Sequence, residues 1–108
     1  MTVQELATTC QFNILCSPDP QRQISGAYIG DLLSWVMGKA QADNVWITIM
    51  SNINVIAVAS LTDVSCVLLA EDVTLDNEVL NTAKQKGINV LSTPLATFDA
   101  AIKVAGVI

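Results

Sequence analysis

Histidine is absent from this 108-residue chain. Its absence removes Ser-His and Cys-His nucleophile pairs together with the commonest zinc ligand. The three cysteines, Cys10, Cys16 and Cys66, are odd in number and show no C-x-x-C spacing. They read as small core hydrophobes of a reducing compartment, with neither a metal site nor a disulfide framework expected. Charge is also scarce: 14% of the residues are charged, where an average soluble domain has about 25%. The 5 basic residues stand against 10 acidic ones and never cluster, which disfavours a nucleic-acid partner, whose binding rests on neutralising phosphates. No apolar run reaches the roughly 18 residues of a membrane span. Thr48, Ser51, Asn52, Asn54, Ser60 and Asp63 interrupt the richest region. No cationic segment precedes an apolar one at the N-terminus, so no signal peptide is expected and the chain reads as cytoplasmic.

What is present is apolar, at 52% of the residues. A chain of this length forms one domain, residues 1–108, and small domains bury a smaller share of their surface than large ones. Some of this apolar content must therefore face outward, and a homodimer is expected.

Local patterns divide the chain into alternating elements. Thr2 and Glu5 have capping-box spacing, and Val3, Leu6, Ala7 and Cys10 fall on one helical stripe. Gln11 to Cys16 reads as a strand, ended by the proline-rich loop Ser17 to Gln21. Gly26 to Gly38 reads as a turn feeding a helix. Within it Leu32, Leu33, Val36, Met37 and Ala40 form an inner stripe, Asp31 sits in the first turn, and Trp35 falls outside the stripe as a candidate interface anchor. Val45 to Met50 is a strand by its β-branched and aromatic content. Val55 to Leu61 reads as a buried helix, because a crossover is needed before the next strand, Cys66 to Ala70. Leu75, Val79, Leu80 and Ala83 line the following helix, and Gly87 stands where a left-handed residue ends it. Ile88 to Leu91 is the last strand. Thr93 then caps a helix with Pro94 at its first position and Leu95, Phe98, Ile102 and Ala105 as core stripe. The alternation predicts a three-layer α/β/α fold on a mainly parallel sheet of about four strands.

No catalytic constellation emerges from these elements. Gly38-Lys39 fails the phosphate-loop pattern, since Leu33 stands where its first glycine belongs, and Gly26 with Gly30 lacks dinucleotide spacing. Glu71 and Asp72 are adjacent in sequence and would point oppositely on a strand. An enzyme relying on Asp31 alone would rest on a carboxylate that ordinarily completes a helix N-terminus. Ligands of open parallel sheets bind beyond the strands' carboxyl ends. Those ends carry Ser17; Ser51, Asn52 and Asn54; Glu71 and Asp72; and Ser92 with Thr93. The same residues serve equally well as turn formers and helix caps.

The segments GAYIGDLLSWVMGKA, VWIT, VIAVASL, CVLLAEDV and GINVLSTPLATF together resemble the DRTGG domain family, whose fold is similar to the N-terminal domain of HPr kinase/phosphorylase. The resemblance implies a regulatory α/β/α domain without catalysis or cofactor of its own, in some relatives near an adenine-nucleotide site. The Asp-Arg-Thr-Gly-Gly string does not occur in this chain, and Ser51-Asn52 stands where relatives place Asp-Arg, so the natural phosphate partner is missing. Two roles follow as expectations. One is a free-standing regulatory or protein-interaction domain that acts as a homodimer or on a separate enzyme or signalling partner. The other is a sensor of an adenine nucleotide or phosphorylated metabolite, with Gly30, Asp31, Ser51, Asn52, Asn54 and Thr93 as candidate ligand-binding residues.

Overall fold

The computed structural model describes residues 1–108. The elements run α1 (Val3–Cys10), β1 (Asn13–Cys16), β2 (Ala27–Ile29), α2 (Leu33–Lys39), β3 (Val45–Thr48), α3 (Asn54–Thr62), β4 (Cys66–Leu69), α4 (Asn77–Gln85), β5 (Val90–Ser92) and α5 (Thr97–Ala105). No helix is long and apolar enough to cross a membrane.

The strands form one sheet in the order β1-β5-β4-β3-β2. β2 through β5 are parallel neighbours, and β1 joins β5 antiparallel, with Asn13 opposite Ser92 and Ile14 opposite Leu91. Side chains of the central strands alternate between two cores. Trp46, Val67, Leu69 and Val90 enter the core roofed by α2, α3 and α4. Val45, Ile47, Cys66, Leu68 and Leu91 enter the one closed by α1 and α5. With both faces covered, every residue of β3, β4 and β5 is buried. This explains why their sequences are continuous apolar runs without an alternating polar face.

The sheet has a fifth strand, β2, inside the segment expected to be a turn. Ala27, Tyr28 and Ile29 are extended because they pair with Val45, Trp46 and Ile47. Helix α2 is correspondingly shorter than expected. Asp31 precedes it, and its buried face narrows to Val36 with Leu33 and Ala40 packed beside it. Leu32 and Met37, at the margins of the expected stripe, are 62% and 52% exposed.

Helix α5 departs further. It begins at Thr97, with no side-chain cap at Ala96, so neither Thr93 nor Pro94 starts it. Its buried residues are Ala100 and Val104, whereas Phe98 and Ile102 of the expected core stripe are 73% and 54% exposed. The small face is selected because α5 packs on α1 and the sheet within the core that also buries Ala7.

Other ends follow local chemistry. The Thr2 hydroxyl accepts from the Glu5 N–H while the Glu5 carboxylate accepts from the Thr2 N–H, which closes the capping box. Gly87, at φ +75°, lets Ile88 N–H reach the Ala83 carbonyl and Gly87 N–H reach that of Lys84. These two bonds and the buried Ile88 to Ala83 pairing make a Schellman ending. Arg22 knits the loops ahead of β3 and β4, its Nη2 lying 2.8 Å from Asp43 Oδ1 and 2.9 Å from Asp63 Oδ1. The buried Asn89 side chain holds the loop after β1 by pairing with both backbone groups of Asp19 and donating to the Ser65 carbonyl.

Cys10 and Cys66 are buried free thiols, and Cys16 is half-buried. Burial pushes the Cys66 thiol up to about 12, with the Ser65 hydrogen bond acting weakly the other way. A thiol that ionises at an ordinary 9.0 when unfolded but near 12 when folded leaves the folded state holding more protons in that window. The stability it supports is complete below pH 9 and falls as pH rises toward 12. Urea denaturation across that alkaline range should show this decline, and Cys66→Ala should flatten it. At about pH 8, Cys66 should resist thiol reagents until the chain is unfolded.

Candidate functional site

The parallel run β2 to β5 brings the candidate residues to one edge of the sheet, as the sequence reading requires, but most are committed to the fold. Gly30 uses both backbone groups: its N–H donates to Ile47 O, and its carbonyl accepts from Nε1 of the fully buried Trp46 at 2.9 Å. It also carries the Tyr28 ring, since a Cβ there would lie 2.8 Å from Tyr28 Cε2. The exposed Asp31 carboxylate accepts from the Thr48 hydroxyl at 2.8 Å and from Ile49 N–H at 3.0 Å, tying the end of β2 to that of β3. It is a bracket between strands and not the first-turn carboxylate of a helix.

Asn52 forms the turn into α3, its Oδ1 accepting from Asn54 N–H at 2.9 Å. Ser51 and Asn54 are exposed, and their side chains make no hydrogen bond within the chain. Thr93 is buried. Its hydroxyl accepts from Leu95 N–H at 3.3 Å, and its carbonyl accepts from Asp72 N–H. Glu71 and Asp72 lie in a left-handed turn beyond β4, not on the strand. There Glu71 Oε2 reaches across to accept from Thr97 N–H and so caps α5 from a neighbouring loop. The loops of this edge contribute Asp31, Glu71, Asp72 and Asp76 and no basic residue. No concavity forms among them, and no three cysteine or carboxylate groups gather to hold a metal ion.

Ser17 lies elsewhere. Because β1 runs antiparallel to its neighbours, its carboxyl end falls at the opposite edge of the sheet from those of β2 to β5. There the chain has a pocket of about 640 Å³ between the end of β1 and α4. Ser17 and Leu15 line it from the strand side, and Asn77, Leu80, Asn81 and Lys84 from the helix. The signal for it was present in the i, i+4, i+7 spacing of Asn77, Asn81 and Lys84, which puts all three on one helical face. That face reads as plain solvent exposure until β1 is placed beside it. Cys16 also lines the pocket, but its thiol donates to Ile88 O at 3.3 Å and burial raises its pKa, so it is no activated nucleophile.

Trp35 is 59% exposed on α2, with Lys39 Nζ 5.4 Å above its ring. Leu32, the extended residue that immediately precedes α2, is 62% exposed. Together they leave an apolar face on a helix whose only fully buried residue is Val36.

The sequence model of the DRTGG domain matches residues 5–107. Among solved structures, the CBS and DRTGG domains of the regulatory region of Clostridium perfringens pyrophosphatase, complexed with the activator diadenosine tetraphosphate, are similar in fold, with a TM-score of 0.71 at 16% identity. The match covers 95% of this chain and 45% of that one, so the chain spans less than half the length of this relative. None of the curated proteins matches.

The contacts at Gly30 give a direct test of its structural commitment. Gly30→Ala should lower stability by about 1 kcal/mol in chemical denaturation, since the half-buried Tyr28 ring can swing aside only at the loss of its packing. An unchanged midpoint would free Gly30 from that role.

Proposed function

This chain belongs to the DRTGG domain family, and we propose that it is a non-catalytic regulatory domain that works by protein interaction, as a homodimer joined through the exposed face of α2. The observation that carries the interaction is the pair Leu32, 62% exposed just before α2, and Trp35, 59% exposed on it. A tryptophan at the centre of an apolar patch is the residue type on which interfaces most often turn. The non-catalytic part rests on side-chain chemistry. Without histidine there is no Ser-His or Cys-His pair, Cys66 is held protonated by burial, and Asp31 is bound to Thr48 and Ile49. If Trp35 anchors the dimer, Trp35→Ala should cost about 2 kcal/mol of association, roughly a thirtyfold rise in dimer dissociation constant. Sedimentation equilibrium reads this directly, and an unaltered dimer would remove Trp35 from the interface.

A second reading, the sensing of an adenine nucleotide or phosphorylated metabolite at the sheet's carboxyl edge, is supported by the alignment of Gly30, Asp31, Ser51, Asn52, Asn54 and Thr93 there. The pyrophosphatase relative was solved with an adenine dinucleotide as its activator. Against it stands the acidic character of that edge, which repels phosphate. Thermal denaturation with AMP, ATP and diadenosine tetraphosphate separates the two readings. A nucleotide at 100 times its dissociation constant stabilises by about 2.7 kcal/mol. If Asn54→Asp abolishes such a gain, the edge is the site. No gain with any of the three leaves the interaction reading alone.

A further inference from the structure

We infer that the pocket between β1 and α4 is a binding site for a small organic anion, a phosphate ester or carboxylate on an apolar body. The site shares no residue with the carboxyl edge and depends on neither reading above.

Its origin is topological. The three crossover helices cover the parallel strands, and β1 is added outside β5 as an antiparallel edge strand with no helix of its own on that face. A groove therefore remains beside α4, about 640 Å³ in volume, with Leu15, Pro18 and Leu80 as apolar walls. The polar groups in it are unspent. Ser17 Oγ is buried and has no hydrogen-bond partner, an arrangement that costs free energy unless something in the groove supplies one. Asn77, Asn81 and Lys84 are exposed, and their side chains form no hydrogen bond or ion pair within the chain, so they can turn to a ligand in exchange for water.

Charge selects the ligand. Lys84 is the only charged residue lining the groove, in a chain of net charge −5, with Asp76 and Glu78 flanking Asn77 at the groove's far end. Lys84 lines the groove from α4 opposite Cys16 and Ser17 of the strand side, so its positive charge bears on the groove. An anionic head group meets Lys84, and the Ser17 hydroxyl, which has no partner within the chain, donates to it once its side chain turns toward the groove. The two amides, one turn apart, hydrogen-bond polar substituents, and the body packs on Leu15 and Leu80. A neutral molecule of the same shape would forgo the charge-assisted contact.

The test is a titration of the isotope-labelled chain with phenyl phosphate, benzoate and benzyl alcohol, followed by amide chemical shifts. Either anion should give saturable shifts confined to residues 15–17 and 77–84, and the tighter one identifies the head group. Benzyl alcohol should bind about tenfold more weakly or not at all, and Lys84→Gln should weaken the anion by about the same factor. Ser17→Ala should also weaken it while leaving the melting temperature unchanged or raised, because the hydroxyl has no structural partner to lose. The proposal fails if neither anion saturates, if the alcohol binds equally well, if Lys84→Gln and Ser17→Ala leave affinity unaltered, or if the shifts gather at Asp31, Asn52 and Thr93 instead.

Discussion

All three crossovers from β2 to β5 step the same way across the sheet, and crossovers of one hand put their helices on one face. Helices α2, α3 and α4 therefore crowd together over Trp46, Val67, Leu69 and Val90. The opposite face, with Val45, Ile47, Cys66, Leu68 and Leu91, would be bare without the two terminal helices. At about 25 cal/mol per Å² of apolar surface removed from water, leaving that face open is not compatible with a small domain's stability. The capping box of α1 and the cross-loop cap that Glu71 gives α5 fix the ends of the two elements that close it.

The same constraint distributes the polar groups. At the carboxyl edge, tightly connected loops engage Gly30 on Trp46 and Ile47, Asp31 on Thr48 and Ile49, Asn52 on Asn54, and Thr93 on Leu95 and Asp72, and leave the side chains of Ser51 and Asn54 free. At the other edge Arg22 ties Asp43 to Asp63, and Asn89 holds the backbone of Asp19. Among the surfaces left unsatisfied, two combine groups that a partner or ligand could use. One is the outer face of α2, where Leu32 and Trp35 meet solvent. The other is the groove under β1, where a cation and three neutral donors have no partners.

Legibility in the sequence followed how local each feature is. In helix α1 the cap and the inner face were legible, since Thr2 and Glu5 bond to each other and Val3, Leu6, Ala7 and Cys10 are all buried. The end of α4 at Gly87 was equally plain, because it needs only a left-handed residue and its two neighbours. The helix over Val55 to Leu61 had no clear apolar stripe, and it was found by the topological need for a crossover. Strand β2 was missed, because three residues between two glycines are extended only by virtue of pairing with β3. In α5 the larger side chains suggested Phe98 and Ile102 as the inner face, whereas the close approach of α1 and the sheet admits Ala100 and Val104.

The sequence by itself determined the α/β/α class, the capping box of α1, the glycine ending of α4, and the lack of any Ser-His or Cys-His pair, since these rest on residue type and short-range periodicity. It also put Trp35 on the outer side of α2. Only the tertiary structure decided which way β1 runs, and with it that Ser17 faces α4 instead of joining Ser51 and Thr93. It alone decided how far α2 and α5 rotate about their axes. Strand direction and helix rotation are set by contacts between residues far apart in the chain, where packing volume outweighs local preference.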